Sequence, residues 1–436
     1  MKITFLGAGS TIFAKNVIGD CILTPSLGDF EVALFDIDPI RLEESRSMLA
    51  NINEHYHGKA TIVAYQNRLE AFRNADYIVN AIQVGGYRPA TVWDFEIPKK
   101  YGLRQTIGDT LGIGGIFRAL RTIKVMEDFA EDIHQVCPNA LFLNYVNPMA
   151  MVTGYLERYL AIRTVGLCHS VQVCVKGLLE TFKMEEYLEG CQSKIAGINH
   201  QAWLLEIKDK NGNDLYPIIK AKNLENPSPY NKKWDLVRLE MMKRFGYYIT
   251  ESSEHTSEYL PYFIKHDHPE LIDRFAIPLD EYPRRCEKQI KDWEEQRKLL
   301  VGNKSIEHIK SREYASGIIN AILHDEPYAF NGNVMNEGLI DNLPIKACVE
   351  VPCIADKRGI TALHFGALPE VCAALNRTNI NEQILTMEAA HERKKEGVYH
   401  AAYLDPHLSA ELTLDQIHDL VDDLFEVEKD YLPDYE

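Results

Sequence analysis

The chain has 436 residues, of which 46% are hydrophobic, and it carries a formal net charge of −17 at pH 7. This length exceeds what one hydrophobic core usually supports, so we expect two domains. The negative charge disfavours nucleic acid and anionic membranes as partners, and no block of like charges forms a basic tail. A small neutral substrate fits this composition better.

The chain begins with an apolar strand pattern rather than with a targeting signal. Residues 2–6 enter this pattern with no basic segment and cleavage site before them, and no apolar run reaches about 18 residues. The nine cysteines form no CxxC pair and no evenly spaced framework. We therefore expect a cytoplasmic protein with free thiols and no membrane span.

Short β-branched runs alternate with helical patterns in the first half of the chain. The runs predict buried strands at 3–6, 32–35, 62–65, 77–82, 141–145 and 164–167. Between them, apolar residues at helical spacing over 42–56 and 120–133 predict crossover helices. This alternation is typical of an α/β protein with a Rossmann-type, doubly wound parallel sheet.

A glycine turn with the features of a dinucleotide site follows the first predicted strand. Gly7 allows a tight turn, Gly9 lets the backbone approach a pyrophosphate, and Ser10 opens the next helix. Asp36, after the second strand, is placed to accept from the adenosine ribose hydroxyls, and its charge favours NAD over NADP. Ile12 stands where a third glycine is usual, so a glycine turn without a ligand is the alternative.

The alternation fades after about residue 170. Longer helical patterns occupy 286–300 and 380–402, and strand patterns lie near 195–207 and 347–355. We predict an NAD-binding domain over residues 1–170 and an α+β domain for substrate, metal and oligomer contacts over 171–436. No low-complexity linker separates them, so the two domains are expected to pack closely.

Polar residues follow three of the predicted strands. Asn147 precedes a proline after the fifth strand, at the edge where open α/β sheets bind ligands. Cys168 follows the sixth strand, and His200 follows the run at 195–198. A thiolate and an imidazole suit a divalent transition ion and leave positions for substrate oxygens and water. On the residues alone, an ordinary turn and a buried structural cysteine and histidine fit as well.

Two further segments concentrate groups that carry chemistry. Asp109 lies in a glycine-rich stretch at 108–115, which either covers a cofactor or sugar or simply caps the following helix. Residues 251–262 bring titratable and aromatic side chains together, as a solvated helix start also does. Neither segment assigns a function by itself.

Taken together, these strings resemble glycoside hydrolase family 4, the glycosidases that depend on NAD and a divalent metal. The collinear motifs are GAGSTIF at 7, FDIDP at 35, QVGGY at 83, QTIGDT at 105, NYVNPM at 144, GLCHSVQ at 166, AGINH at 196, ESSEH at 251, DEYPRRC at 280 and LIDNLP at 339. They span essentially the whole chain and are most similar to those of melibiose-hydrolysing α-galactosidases. The resemblance implies a lactate/malate dehydrogenase-like architecture, and a homodimer or homotetramer is expected.

The resemblance also implies roles for individual residues. Cys168 and His200 become ligands of Mn²⁺ or another divalent metal, Asn147 a substrate contact and Tyr259 the catalytic base. Family members that act on α-glucosides can carry an aspartate directly after the metal cysteine as the general acid. This chain has His169 there. The acid is therefore left open between His169, Asp109 and a metal-bound water.

The implied reaction is redox-neutral overall. NAD⁺ takes a hydride from C3 of the sugar, a base removes the proton at C2, the aglycone is eliminated, water adds, and the hydride returns. The implied activity is that of an α-galactosidase. The alternatives are an α-glucosidase, an α-galacturonidase whose uronate pairs with Arg284 and Arg285, a net NAD-dependent dehydrogenase and a non-catalytic NAD-sensing regulator.

Overall fold

A computed structural model of the chain describes residues 1–225, 233–302 and 306–436. The strands in these residues are β1 Lys2–Leu6, β2 Phe30–Phe35, β3 Ala60–Tyr65, β4 Tyr77–Asn80, β5 Leu141–Asn144, β6 Thr164–Gly166, β7 Gln192–Ile198, β8 Gln201–Lys208, β9 Tyr248–Ile249, β10 Tyr328–Met335, β11 Cys348–Asp356 and β12 Gly359–Ala362. All of them belong to one continuous sheet.

The α-helices flank this sheet. They are α1 Thr11–Ile22, α2 Pro39–His55, α3 Arg68–Phe72, α4 Val92–Lys100, α5 Gly112–Val136, α6 Met149–Arg158, α7 Ser170–Thr181, α8 Tyr216–Glu225, α9 Leu236–Phe245, α10 Ser253–Glu258, α11 Glu270–Phe275, α12 Glu281–Gly302, α13 Ala315–His324, α14 Glu370–Glu392, α15 Lys395–Leu404, α16 Pro406–Glu411 and α17 Leu414–Glu428.

The first six strands form the predicted parallel sheet. Their spatial order is β3-β2-β1-β4-β5-β6, and every neighbouring pair among them is parallel. Successive side chains of β1 are buried on opposite faces of the sheet, since Phe5 and Leu6 belong to different hydrophobic clusters. This is the Rossmann strand order, in which β1 and β4 flank the point where the winding reverses. The predicted fold class is therefore confirmed.

The second half of the sheet is antiparallel and joins the first at β6. Gly166 lies opposite Asn333 of β10, and Glu350 of β11 lies opposite Gly197 of β7. The strand pattern predicted near 195–207 is a hairpin of β7 and β8. His200 occupies its turn with a φ of 61°. The strand pattern predicted at 347–355 corresponds to β11, whereas the patterns did not predict β9, β10 or β12.

Two predicted elements differ from the structure at their ends. The strand predicted over 77–82 ends at Asn80, because its neighbour β1 turns away at Gly7. The helical pattern predicted over 380–402 is two helices, because the backbone at Arg393 is left-handed with a φ of 58°. The pattern at 286–300 falls within α12.

The C-terminal helices pack back onto the parallel half of the sheet. α14 contacts α5 and α6, and α17 contacts α4. One hydrophobic cluster accordingly includes residues from both halves of the chain, from Ile3 to Leu432. No helix within the described residues is long and apolar enough to cross a membrane. The predicted boundary near residue 170 stays a prediction.

Candidate active site

The glycine turn after β1 is packed against the two neighbouring strands. The N–H groups of Gly7 and Ala8 both donate to the carbonyl of Phe35, at 3.0 and 3.1 Å. Gly7 has a φ of +80°, and a Cβ there would lie 2.5 Å from the carbonyl oxygen of Ala81. Only glycine fits this position, and the turn lies where Rossmann sheets bind a dinucleotide.

Asp36 lies directly beside this turn. Its carboxylate accepts from the N–H of Gly9 at 2.6 Å and from that of Asp38 at 2.9 Å. Asp38 itself caps α2, because its side chain accepts from the backbone N–H groups of Ile40 and Arg41. Ser10 is exposed at the start of α1, and the side chain of Ile12 is 44% exposed. The four predicted cofactor residues are thus brought together at one end of the sheet.

A cluster with metal-ligand chemistry forms from three chain segments. Ligand atoms of Cys168, His200 and Glu251 all lie within 4.8 Å of one another. Each residue stands just beyond a strand: β6, the β7–β8 hairpin turn and β9, respectively. Sulfur, nitrogen and carboxylate donors in one place fit a divalent transition ion. Glu251 thus joins the predicted pair as a third candidate ligand, although the sequence marked residues 251–255 only as a dense titratable segment.

Charges in this cluster favour a bound cation. Burial, followed by the charge of Glu251, raises the pKa of the Cys168 thiol to about 11. Burial alone would also raise the pKa of Glu251, but His200 and His255 lower it overall. A thiolate buried beside a carboxylate is unfavourable without a cation. A divalent ion would offset the repulsion between the two negative groups, and coordination to a metal lowers the pKa of a thiol.

His200 connects the cluster to Tyr259. Its Nε2 lies 3.7 Å from a carboxylate oxygen of Glu251. Its Nδ1 lies 3.1 Å from the hydroxyl of Tyr259 and 3.3 Å from that of Thr110. Tyr259 is fully buried after α10. Burial, together with the charges of Asp109 and Glu258, raises the pKa of Tyr259 well above 10.

Asp109 and Asn147 meet beside this histidine and tyrosine. The side-chain amide of Asn147 donates to Asp109 at 3.1 Å, and the hydroxyl of Thr110 donates to the other carboxylate oxygen at 2.7 Å. His255 Nε2 lies 3.7 Å from Asp109. Burial favours the protonated carboxyl, but His255 and Arg118 outweigh it and lower the pKa of Asp109. An ionised Asp109 orients donors rather than supplying a proton.

The loop that carries Asp109 is anchored by Glu258. The backbone N–H groups of Thr106, Ile107 and Gly108 donate to the Glu258 carboxylate at 2.9, 3.2 and 2.9 Å. This carboxylate therefore ties the loop to α10, immediately before Tyr259. Sequence reasoning missed Glu258 and His255, since ESSEH and the following residues marked only a dense polar segment.

His169 makes its contacts away from this network. Its Nε2 lies 2.7 Å from Glu313, and its ring stacks on those of Tyr145 and Tyr314, with centroids 6.4 Å apart in each case. The hydrogen bond with Glu313 raises the pKa of His169. A protonated His169 is thus favoured, but none of its contacts described above is with Asp109 or Tyr259.

The two adjacent arginines considered for a uronate are already paired. Arg284 contacts Glu281, and Arg285 contacts both Glu281 and Glu254. Both guanidinium groups lie on the exposed side of α12, with side-chain exposures of 53% and 44%. Their charges are neutralised locally, which weakens the basis for an α-galacturonidase.

The fold and the site define an α/β protein with a Rossmann dinucleotide turn and a sulfur, nitrogen and oxygen cluster beyond the strands of one sheet. Residues 2–184 match the family 4 glycosyl hydrolases, and residues 195–408 match the C-terminal domain of the same family. The chain belongs to this family.

Individual relatives agree with this assignment over the full length. The chain is 59% identical to an α-galactosidase of Bacillus subtilis (strain 168), with 100% of this chain and 99% of that protein aligned. It is 35% identical to an α-galactosidase of Rhizobium meliloti (strain 1021), over 100% and 89%. A 6-phospho-α-glucosidase from gut microorganisms, solved with NAD and Mn²⁺, has the same fold with a TM-score of 0.80, 22% identity and coverage of 100% and 99%.

Proposed function

We propose that the chain is an α-galactosidase that hydrolyses α-galactosides such as melibiose with the help of NAD and a divalent ion such as Mn²⁺. The observation that carries this proposal is the Cys168, His200 and Glu251 cluster with Tyr259 hydrogen-bonded to its histidine. The two α-galactosidases at 59% and 35% identity support the choice of sugar.

The residues present fit both groups. Gly7, Gly9, Ser10 and Asp36 would hold NAD, because the turn, the helix start and the carboxylate stand in the order a dinucleotide requires. The three-residue cluster would hold the metal. When bound, NAD supplies a reversible hydride acceptor for C3, and the ion supplies Lewis acidity that makes the neighbouring C2 proton acidic.

Tyr259 is the base that removes the C2 proton in this proposal. With Nε2 of His200 directed to the metal cluster, the ring proton resides on Nδ1 and is donated to the Tyr259 oxygen. The hydroxyl of Thr110 lies 3.3 Å from the same ring nitrogen. Hydrogen bonds to the phenolate oppose the burial that raises the tyrosine pKa.

Asn147 and Asp109 position the sugar. The amide of Asn147 donates to Asp109 and keeps its carbonyl oxygen for a sugar hydroxyl. Because Asp109 is held as a carboxylate, it is the natural acceptor for another sugar hydroxyl. The proton for the leaving group then falls to a water at the site or to His169, whose pKa is raised.

Three further predictions complete the proposal. The chain works as a homodimer or homotetramer, it is cytoplasmic, and its NAD-binding and α+β domains meet near residue 170. The net charge of −17 supports a small neutral substrate rather than a polyanion. Sedimentation of the purified protein would test the oligomeric state.

A panel of nitrophenyl α- and β-glycosides, assayed with NAD⁺ and Mn²⁺, tests the substrate. The α-galactoside is expected to be cleaved fastest, with no build-up of NADH. Fastest cleavage of an α-glucoside or an α-galacturonide would change the proposed substrate but leave the proposed mechanism in place. Stoichiometric NADH would indicate a dehydrogenase instead, and NAD binding without any turnover would indicate a regulator.

A further inference from the structure

The loop at 83–86 borders the dinucleotide turn. It follows β4, which pairs with β1, and the turn at Gly7 packs directly against Ala81. Rossmann sheets bind their cofactor at the carboxyl ends of these two strands. The backbone position of residues 83–86 therefore shapes one wall of the proposed NAD site.

A buried arginine forms a hydrogen bond with the backbone of this loop. Nε of Arg121, in α5, donates to the carbonyl of Val84 at 3.3 Å. The rest of its guanidinium group is shared between two carboxylates. It binds Asp94 of α4 at 3.0 and 2.6 Å, and Glu428 at the end of α17 at 3.1 and 3.2 Å. The side chains of all three charged residues are at most 2% exposed.

The residues after Glu428 contact α4 and α5, and Tyr431 lies next to Gly85 of the loop. The ring of Tyr431 lies 6.1 Å from that of Trp93, and a Cβ on Gly85 would lie 3.7 Å from Tyr431. Nζ of Lys124 donates to the carbonyl of Leu432 at 3.1 Å. These contacts come from residues beyond 408, where the match to the family's C-terminal domain ends.

We propose that residues 428–432 form a C-terminal strap that fixes the 83–86 loop for NAD binding, with Glu428 acting as a positioning residue through Arg121. The strap rests on the proposed NAD site. Loss of Glu428 would leave part of the Arg121 guanidinium group without an acceptor, because Nη1 donates to Glu428 as well as to Asp94, and a buried donor without a partner favours a shift of the side chain. The Val84 carbonyl would then lose its fixed donor.

The ionisation of the cluster suggests which substitution should be tolerated. One guanidinium faces two carboxyl groups, and burial raises the pKa of Glu428 to about 8. A neutral Glu428 still offers Arg121 a carbonyl oxygen. Glutamine presents the same oxygen, whereas leucine presents none. Glu428→Gln keeps the acceptor for Arg121, whereas Glu428→Leu keeps only a side chain of similar size. Comparing the two variants therefore measures the effect of the hydrogen bond.

Calorimetric titration of NAD⁺ into the purified variants tests the strap. We expect Glu428→Leu to weaken NAD⁺ binding by roughly 5- to 150-fold and Glu428→Gln to bind nearly as the unmodified protein does. Glu426→Leu is the matched control, since Glu426 is 75% exposed on the same helix and pairs with Lys429. Mn²⁺ affinity should stay unchanged in all three variants.

Other results of these titrations would contradict either the strap or the proposed function. Unchanged NAD⁺ affinity in folded Glu428→Leu contradicts the strap, as does an equal loss of NAD⁺ and Mn²⁺ affinity, which indicates general damage. If the unmodified protein binds no NAD⁺, the proposed function fails as well.

A second measurement needs no variant and so holds even if Glu428→Leu does not fold. Hydrogen exchange of the unmodified protein with and without NAD⁺ should show added protection at 83–86 and also at 429–432, because coupling between sites is reciprocal. Protection at 83–86 with unchanged exchange at 429–432 would contradict the strap.

Discussion

The acidity of Tyr259 depends on the groups that surround its hydroxyl. Burial raises its pKa well above 10, while His200 Nδ1 lies 3.1 Å from its oxygen. Lowering a tyrosine pKa from about 10 to about 7 requires roughly 4 kcal/mol of differential stabilisation. A histidine bound through Nε2 to a cation is a strong donor at Nδ1. We therefore expect loss of the metal to impair Tyr259 as a base as well.

Replacing Tyr259 with phenylalanine tests the base. We expect kcat and kcat/KM for a nitrophenyl α-galactoside to fall by a similar factor of about 10² to 10⁴, because the lost group acts on the transition state. Tyr262→Phe is the control, since Tyr262 is 46% exposed in the same segment. Near-normal rates in Tyr259→Phe would assign the base to another residue.

Replacing Glu251 with glutamine tests the third ligand. Calorimetric titration should show Mn²⁺ affinity reduced by at least about tenfold, because an amide oxygen lacks the charge of the carboxylate. Cys168→Ser should be more severe, since a hydroxyl is a poor substitute for a thiolate. Glu240→Gln, which alters a surface pair with Arg244, should bind Mn²⁺ normally. Unaltered affinity in Glu251→Gln would restrict the protein ligands to Cys168 and His200.

At the scale of elements, the site is assembled from the ends of strands. Cys168 follows β6, and a parallel strand with apolar residues on both faces is easily predicted. His200 could be predicted as a ligand because it follows an apolar run, whereas its position in a hairpin turn could not be predicted. Glu251 follows β9, which has only two residues and gives no periodic signal.

Other site residues depend on contacts far apart in the sequence. Glu258 accepts from backbone groups about 150 positions earlier, and Arg121 binds Glu428 across 307 positions. No spacing rule predicts such pairs. The resemblance to the family supplied Tyr259, and the structure then brought it to His200.

The packing of α17 against α4 and α5 gives a prediction about pH. Burial raises the pKa of Glu428 in the folded state to about 8, compared with about 4.3 for a free glutamate. Its contribution to stability is therefore fully present below about pH 4.3 and is lost as the pH rises through 8. Glutamine does not titrate. We expect the melting temperature of Glu428→Gln, relative to the unmodified protein, to be higher at pH 9 than at pH 6.

Thermal melts at the two pH values measure this difference. Glu426→Gln, on the exposed side of the same helix, provides the control and should track the unmodified protein at both. A relative melting temperature of Glu428→Gln that stays constant or falls between pH 6 and pH 9 would mean that Glu428 is ionised throughout.

At the scale of the whole molecule, one sheet places the glycine turn of the proposed NAD site and the candidate metal cluster beyond the ends of its strands. The turn follows β1, and Cys168 follows β6 three strands away, with β4 and β5 between them. A hydrolase that displaced the aglycone directly at C1 would need neither feature. Their joint presence is explained if the sugar is oxidised at C3 and loses its C2 proton before the glycosidic bond breaks.

Hydrolysis in deuterated water tests this account most directly. Elimination and water addition pass through a species without a C2 proton, so the galactose released from a nitrophenyl α-galactoside should carry deuterium at C2. Nuclear magnetic resonance of the product, compared with galactose incubated with the enzyme after turnover has ended, measures the incorporation during the reaction. Deuterium at C2 from the first turnovers is the predicted result, and galactose that retains protium at C2 would contradict the mechanism.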